Sequence, residues 1–481
     1  MARRPNIVLI TGDQHRADTL GCAGHPCVET PHLDLLAYQG TRFTNAHADC
    51  PVCIPARTTL ITGRRAHENG KAEYGADYRL DRDRRDILGS LLTEAGYQTE
   101  LVGKTHFHSE PDFRAGFEHV TWFASLRRQQ MLESGKPGLQ AGLGYNASHT
   151  ALSPFPPHLN QTNWAVEKAC DFLETRERSQ PFALWVSTND PHPPYFIHEP
   201  YYSMYEHRDI PEPVVADWVG TDAEPINHFV QRHQLNKGPM TPAEVRAMRR
   251  VYYGMVTNLD HQVGRLIAQL EYLGDLDDTL IVYTADHGEA LGDHGAVAKR
   301  SFLSCSAKLP MIVRPPKTWG LQPGQVCDGL VEWADLLPTL CDAAGARVPD
   351  DVTGRSMLPH VRGESATVGG HVMHGHIESR HMLHDGRYKF IYDTDDGSEQ
   401  CFDTRDDPDD LHPLTGEHPG RLRKILIEHM TAEGHEHVAD GKLLNRGKAK
   451  PSVEELRASG AYALGPTRHF GDIRRDVMWI N

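Results

Sequence analysis

The sequence predicts an α/β fold built around a largely parallel sheet, and three features predict it. Apolar runs of strand length recur at Asn6 to Ile10, Pro181 to Ser187 and Thr279 to Thr284. They are nearly continuous rather than alternating, as strands covered on both faces are. Longer helical patterns lie between them, the longest from Pro242 to Leu273 with apolar residues at Val251, Met255, Leu259, Val263, Leu266 and Leu270. After about residue 365 the texture changes to short strands and turns, which predicts a larger unit over 1–365 and a C-terminal subdomain with a tail over 366–481.

In chain order, the first strand is closed by Thr11-Gly12, and Asp13 and Gln14 follow at its C-terminal end. Open α/β sheets place their ligands there. A carboxylate followed by an amide offers two oxygens to a hard cation, with a helix cap as the plainer reading. Thr30 to Leu36 reads as a capped helix, and Gly40 to Asn45 leads into a turn, Cys50-Pro51-Val52-Cys53. That turn delivers Cys53 to the start of a short helix, with Pro55 in its first turn and Gly63 at its end. A cysteine there sits among free N–H groups and the positive end of the dipole, which favours a thiolate, an oxyanion or a bound anion. Arg57, four residues on, returns along the same face. Cys50-x-x-Cys53 also reads as a redox or metal pair.

Asp86 to Ala95 is an amphipathic helix, and Glu100 to Gly103 a short strand with Lys104-Thr105-His106 at its exit. Extended alternation puts Lys104 and His106 on one face. Residues 108–160 and 196–240 are irregular and read as loops that border a site and hold its substrate choice. Asn163 to Arg176 is a helix. The strand Pro181 to Ser187 exits into Asn189-Asp190-Pro191-His192-Pro193-Pro194, where flanking prolines restrict the backbone that aims His192. The strand Thr279 to Thr284 exits into Ala285-Asp286-His287-Gly288-Glu289. Adjacent Asp and His followed by Gly suit metal coordination with close backbone approach. Gly292-Asp293-His294-Gly295 leads on to Lys299, a further cation. Lys308 to Arg314 is a strand, Glu332 to Ala344 a helix, Arg387 to Tyr392 a short strand, and Arg421 to Glu433 a helix. The acidic run Asp393 to Asp410 reads as a solvated face. The tail from 466 to 481 carries Phe470, Val477, Met478, Trp479 and Ile480, which reads either as frayed or as packed on something, an acidic oligomer partner suiting its arginines.

Lys and Arg number 50 against 65 Asp and Glu, a net charge of −15, which disfavours nucleic acid and anionic membranes as partners. An acidic protein that binds an anion must concentrate its positive charge at one place. Nine cysteines, an odd number without framework spacing, point to a reducing compartment. Met1-Ala2-Arg3-Arg4-Pro5 runs straight into the first strand, so a soluble cytoplasmic protein is the expectation. Thirty histidines are a surplus suited to metal or acid/base work.

Cys53-x-Pro55-x-Arg57, Gly103-Lys104-x-His106, Pro191-His192-x-Pro194 and Asp286-His287-Gly288 with Gly292-Asp293-His294-Gly295 and Lys299 stand in one order. Together they resemble the type I sulfatases, the formylglycine-dependent branch of the alkaline phosphatase superfamily. The resemblance implies an alkaline phosphatase-like α/β sandwich with a central, mostly parallel sheet, plus a small C-terminal antiparallel sheet with a helix. It implies that Cys53 is oxidised to formylglycine by a maturation enzyme, and that the hydrated aldehyde attacks a small sulfate ester. Asp13, Gln14, Asp286 and His287 would hold a divalent cation beside residue 53, calcium first, with manganese or magnesium admissible. Arg57 would stabilise the hydrate, and Lys104, His192 and Lys299 would neutralise the ester. His192 would protonate the leaving alcohol and His106 would act as base. Gln14 departs from the many members that carry a second Asp there. Other readings are a phosphonate monoester or phosphodiester hydrolase of the same superfamily, a non-catalytic anion binder, and the Cys50/Cys53 redox module. Phosphonate hydrolases look different at the positions of Lys104 and His106, with Tyr and Thr, so this triplet points to sulfate.

Overall fold

The computed structural model describes residues 4–70, 72, 80–81, 83–106, 113–123, 125–126, 133, 148–234, 240–364 and 372–458. The tail 466–481, the boundary near 365, and much of 108–160 lie outside them. The chain runs β1 (Asn6–Gly12), α1 (Pro31–Gln39), β2 (Thr41–Phe43), α2 (Cys53–Thr62), α3 (Leu88–Glu94), β3 (Gln98–Gly103), β4 (His119–Trp122), α4 (Gln161–Thr175) and β5 (Phe182–Ser187). It continues with α5 (Pro242–Tyr272), β6 (Thr279–Ala285), β7 (Met311–Arg314), β8 (Gln325–Cys327) and α6 (Leu336–Ala344). The C-terminal part adds β9 (Met373–Ile377), β10 (Arg380–His384), β11 (Tyr388–Asp393), β12 (Glu399–Asp403) and α7 (Glu417–Ala432).

The main sheet has eight strands in the order β8-β2-β7-β6-β1-β5-β3-β4. Its centre is parallel, and β7 is antiparallel to both neighbours. Every residue of β1 is buried, because the strand is covered on both faces. Ile7 and Leu9 pack into one layer with Trp185, Trp333 and Leu337, and Val8 and Ile10 into the other with Leu259, Val263 and Leu266 of α5. This explains the unbroken apolar run: a strand with two core faces has no solvent side to alternate with.

The second sheet is antiparallel, β9-β10-β11-β12, with α7 packed on it through Leu422, Leu426 and Met430. Three features differ from the sequence reading. His119–Trp122, expected as loop, forms the edge strand β4 beside β3. A helix Ile226–Gln234 forms inside the stretch expected to be irregular. The acidic run is not wholly solvated: Glu399–Asp403 pairs with β11, and Asp410 is buried against the Lys389 ammonium at 2.7 Å. All nine cysteines are free thiols.

Candidate active site

Strand register assembles the site. Thr11 pairs with Ser187, Gly103 with Ser187, and Gly12 with Ala285. The next residues along three of these strands, Asp13, Lys104 and Asp286, therefore leave the sheet at one level. Gly103 makes the close approach possible. Its φ is +103°, and a Cβ there would lie 2.0 Å from the Ser187 carbonyl oxygen.

The helix α2 delivers residue 53 to that level. It is buried on almost every side, with Ile54 alone partly exposed, and Gly63 closes it at φ +66°. Cys53 Sγ lies 3.1 Å from His287 Nε2 and 3.8 Å from Asp13 Oδ1. The His287 Nδ1 faces the Gly288 carbonyl at 3.0 Å, a contact that turns Nε2 inward. Asp13, Cys53, Asp286 and His287 each offer one donor atom, all within 4.8 Å of one another and all buried. That donor set fits a divalent cation, since two buried carboxylates and an imidazole bring their donor atoms together at one place.

Arg57 is fully buried and forks over the carboxylates. It donates from Nε to Asp286 Oδ2 at 2.9 Å and from the guanidinium to Ser187 Oγ at 2.7 Å and the Lys104 carbonyl at 3.1 Å, and it lies 3.5 Å from Asp13 Oδ2. Lys104 donates to Asp13 Oδ2. Gln14, at φ +67°, donates its backbone N–H to Asp286 Oδ1 at 3.1 Å. Its side-chain oxygen accepts from Lys299 Nζ at 2.6 Å, which leaves that oxygen one further lone pair for a cation. Lys299 also donates to His192 Nε2 at 2.9 Å, while His192 Nδ1 bonds the Pro193 carbonyl at 2.6 Å.

Burial would raise the Asp13 carboxyl, yet Lys104, Arg57 and His287 hold it well below its ordinary range. Burial and Asp13 push the Cys53 thiol up, but Lys299, Lys104 and His287 bring it below its ordinary value. Burial opposes charge on His287, and Asp286 and Cys53 raise it nonetheless. His192 falls well below an ordinary imidazole, through burial and then the Lys299 charge. Sequence reasoning expected a protonated His192. The structure corrects this: an ammonium has only donors, so His192 is neutral with its proton on Nδ1.

His106 reaches the charge cluster by another route than expected. Its φ is +55°, so a left-handed turn replaces the extended alternation. Burial, then Lys104 and Arg57, keep it neutral, and its Nδ1 is buried without a hydrogen-bond partner among the described residues. The Cys50/Cys53 pair separates chemically. Cys50 packs with Val52, Phe302 and Met373, and burial lifts its thiol well above the usual value.

Two participants were passed over in the sequence. Glu289, fully buried, accepts from the Gln14 amide, so the Gln14 oxygen turns to Lys299. It stands beside Asp286-His287-Gly288, and that adjacency was the available signal. Ser187 carries no such signal, since its contact with Arg57 depends on tertiary register.

Cations and a nucleophile at a helix start, gathered at the C-terminal ends of a parallel sheet, define a hydrolase of anionic esters. Comparison with known proteins sharpens this class. The chain matches the Sulfatase family over residues 5–346 and the family described as N-sulphoglucosamine sulphohydrolase, C-terminal, over residues 292–433. It is 30% identical over 489 residues to an arylsulfatase of Clostridium perfringens, covering 94% of this chain and 100% of that one. Among solved structures, it is similar to the phosphonate monoester hydrolase SpPMH from Silicibacter pomeroyi, with a TM-score of 0.76, 23% identity, and coverage of 92% of this chain and 100% of that one. It is also similar to BT4656 in complex with its substrate D-glucosamine-2-N,6-O-disulfate, with a TM-score of 0.72, 23% identity, and coverage of 89% and 98%. The chain belongs to the sulfatase family of the alkaline phosphatase superfamily. It is a sulfuric ester hydrolase that acts on sulfate monoesters. Membership implies a divalent metal and a formylglycine. No helix among the described residues is long and apolar enough to cross a membrane.

Proposed function

We propose that the chain hydrolyses a small sulfate monoester at Cys53, matured to formylglycine, with Asp13, Gln14, Asp286 and His287 holding calcium. The observation that carries this reading is the charge balance. Three buried cations, Arg57, Lys104 and Lys299, meet three buried carboxylates, Asp13, Asp286 and Glu289. A divalent cation added to that balance leaves the centre positive, which suits an anionic ester. Once residue 53 presents oxygen, the donors are mainly oxygens, which favours calcium; His287 also admits manganese, and magnesium is the other hard cation.

When present, the hydrated aldehyde supplies a hydroxyl nucleophile, and the cation lowers the cost of its ionisation. This chain's own residues do the rest. Arg57 holds the Asp286 carboxylate and lies beside Asp13, which fixes the metal ligands. Lys104 and Lys299 face the ester oxygens and stabilise charge as it develops. The proton shared between Lys299 Nζ and His192 Nε2 is the one that passes to the leaving alcohol. His106, neutral, takes the proton of the second hydroxyl.

We further propose the division into a catalytic part, 1–365, and a C-terminal part, 366–481. The free thiols support a cytoplasmic location, where a maturation enzyme meets the new chain. The tail 466–481 is proposed to join copies into an oligomer.

The test is kinetic. The wild type should show a higher kcat/KM for an aryl sulfate than for the matching phosphonate monoester. The active sample should carry the CH₂SH to CHO mass change on the Cys53 peptide, and Cys53→Ala should be folded and inactive. A preference for the phosphonate would favour the phosphonate hydrolase reading, and an unmodified Cys53 in fully active protein would remove the formylglycine.

A further inference from the structure

The surplus of histidine has a second destination. His376 on β9 and His381 on β10 are cross-strand partners, and their rings stack at 4.2 Å. His435 and His437 follow α7 and come down onto this pair, with ring centroids 4.9 Å from His376 and 5.1 Å from His381 respectively. Each of the four offers one nitrogen, and these nitrogens all lie within 4.8 Å of one another. His376, His381 and His437 are buried and His435 is half-buried.

Neighbouring groups set two of the rings. His376 Nε2 bonds the Glu378 carbonyl at 2.8 Å, so that nitrogen carries the proton and Nδ1 turns to the cluster as a lone pair. His381 Nδ1 lies 3.2 Å from His374 Nε2, and His374 Nδ1 lies 3.5 Å from Glu433 Oε2. This carboxylate–imidazole–imidazole chain leaves His381 Nε2 as the inward lone pair. A carbonyl or carboxylate behind a ligating ring is the usual support of a histidine metal site.

The other two rings hold protons toward this pair. His437 Nδ1 is 2.8 Å from His381 Nε2, and His435 Nε2 is 3.4 Å from His376 Nδ1. A tetrahedral zinc with Zn–N of about 2.0–2.1 Å spaces its nitrogens about 3.4 Å apart, within the range found here. To bind, each ring must move its proton to the far nitrogen and yield a contact there. For His435 the contact is the His437 backbone N–H at 3.1 Å. For His437 it is Arg446 at 2.8 Å, whose guanidinium also bonds Thr394 and Asp395.

We propose that His376, His381, His435 and His437 form a four-nitrogen transition-metal site, best matched by zinc, that fastens the C-terminal sheet to the segment following α7. Behind the site, the segment leaving α2 supplies His67, whose ring lies 4.5 Å from His374 and whose Nε2 lies 3.5 Å from Glu433. The sheet is also tied to the chain just before α2, where the His376 backbone N–H donates to the Asp49 carbonyl at 3.0 Å. The competing occupant is no ion at all: a closed network of neutral imidazoles.

The full-length protein, stripped by chelator and titrated with Co²⁺, distinguishes them. The site predicts one equivalent with the intense visible bands of a four-coordinate centre. Those bands should persist in Asp13→Ala and vanish in His376→Ala/His381→Ala. His435→Asn, at the half-buried ligand, serves if the double variant does not fold. His374→Gln, which removes only the support behind His381, should weaken zinc binding by roughly 10–100-fold. Absence of those bands in the wild type, or their survival in the histidine variants, would overturn the proposal in favour of the neutral network. Loss of the bands in Asp13→Ala would place the cobalt at the catalytic centre and overturn it as well.

Discussion

Removing the Arg57 guanidinium tests how the catalytic centre is balanced. In Arg57→Ala, Asp286 Oδ2 loses its 2.9 Å ion pair and Ser187 Oγ its 2.7 Å donor, both in a fully buried setting. Asp13 keeps Lys104, so the damage concentrates on Asp286. Breaking one side of a buried ion pair costs about 3–5 kcal/mol, because the remaining charge is left desolvated. Unfolding entropy near 2.1 cal/mol/K per residue, over the 481 residues of the chain, is about 1 kcal/mol/K, so the loss corresponds to a Tm lower by about 3–5 °C. Thermal unfolding of chelator-treated protein measures it. Saturating calcium should narrow the gap, because the cation takes over part of Asp286's compensation. Activity should stay down by roughly 10–100-fold, since the fork that holds the two carboxylates in place is gone. Arg57→Lys should fall between the two, keeping the charge without the planar fork. A metal-free Arg57→Ala melting with the wild type, or a gap that calcium leaves unchanged, refutes the argument.

Asp13→Asn and Asp286→Asn should lower bound metal and turnover together, by several kcal/mol in transition-state terms, read by metal analysis and kcat/KM on one sample. Asp260 on α5 caps α1 through the Leu33 and His32 N–H groups, and burial pushes its carboxyl up to about 7. The folded chain therefore binds this proton more tightly than the unfolded chain does. That stability is full below about pH 4, is lost as pH rises through about 7, and should flatten between those values in Asp260→Asn melting curves. Deleting 466–481 should reduce the particle mass in light scattering; an unchanged mass removes the tail from assembly.

What the sequence made legible follows from where the information is local. A strand buried on both faces must be apolar throughout, so Asn6 to Ile10 and Thr279 to Thr284 announce themselves. The residues just after them, Asp13 and Asp286, are then marked by position alone. The same holds for the N-terminus of α2, since a Pro in the first turn and a closing Gly are properties of the segment itself. What stayed hidden is set by register and by partners distant in sequence. His119–Trp122 is an edge strand of only four residues, too short to show a period. Glu289 looks like any acidic residue until it is seen turning Gln14 toward Lys299.

The site depends on that hidden level more than on its motifs. Asp13, Lys104 and Asp286 sit in three motifs that say nothing of one another, and the pairing of Gly12 with Ala285 and Gly103 with Ser187 makes them neighbours. A shift of one residue would turn each exit to the opposite face. Gly103 guards the register at its tightest point, because no side chain fits between its Cα and the Ser187 carbonyl. Lys104 is thus placed by a glycine, and a sequence pattern that names Lys104 alone omits the residue that puts it there.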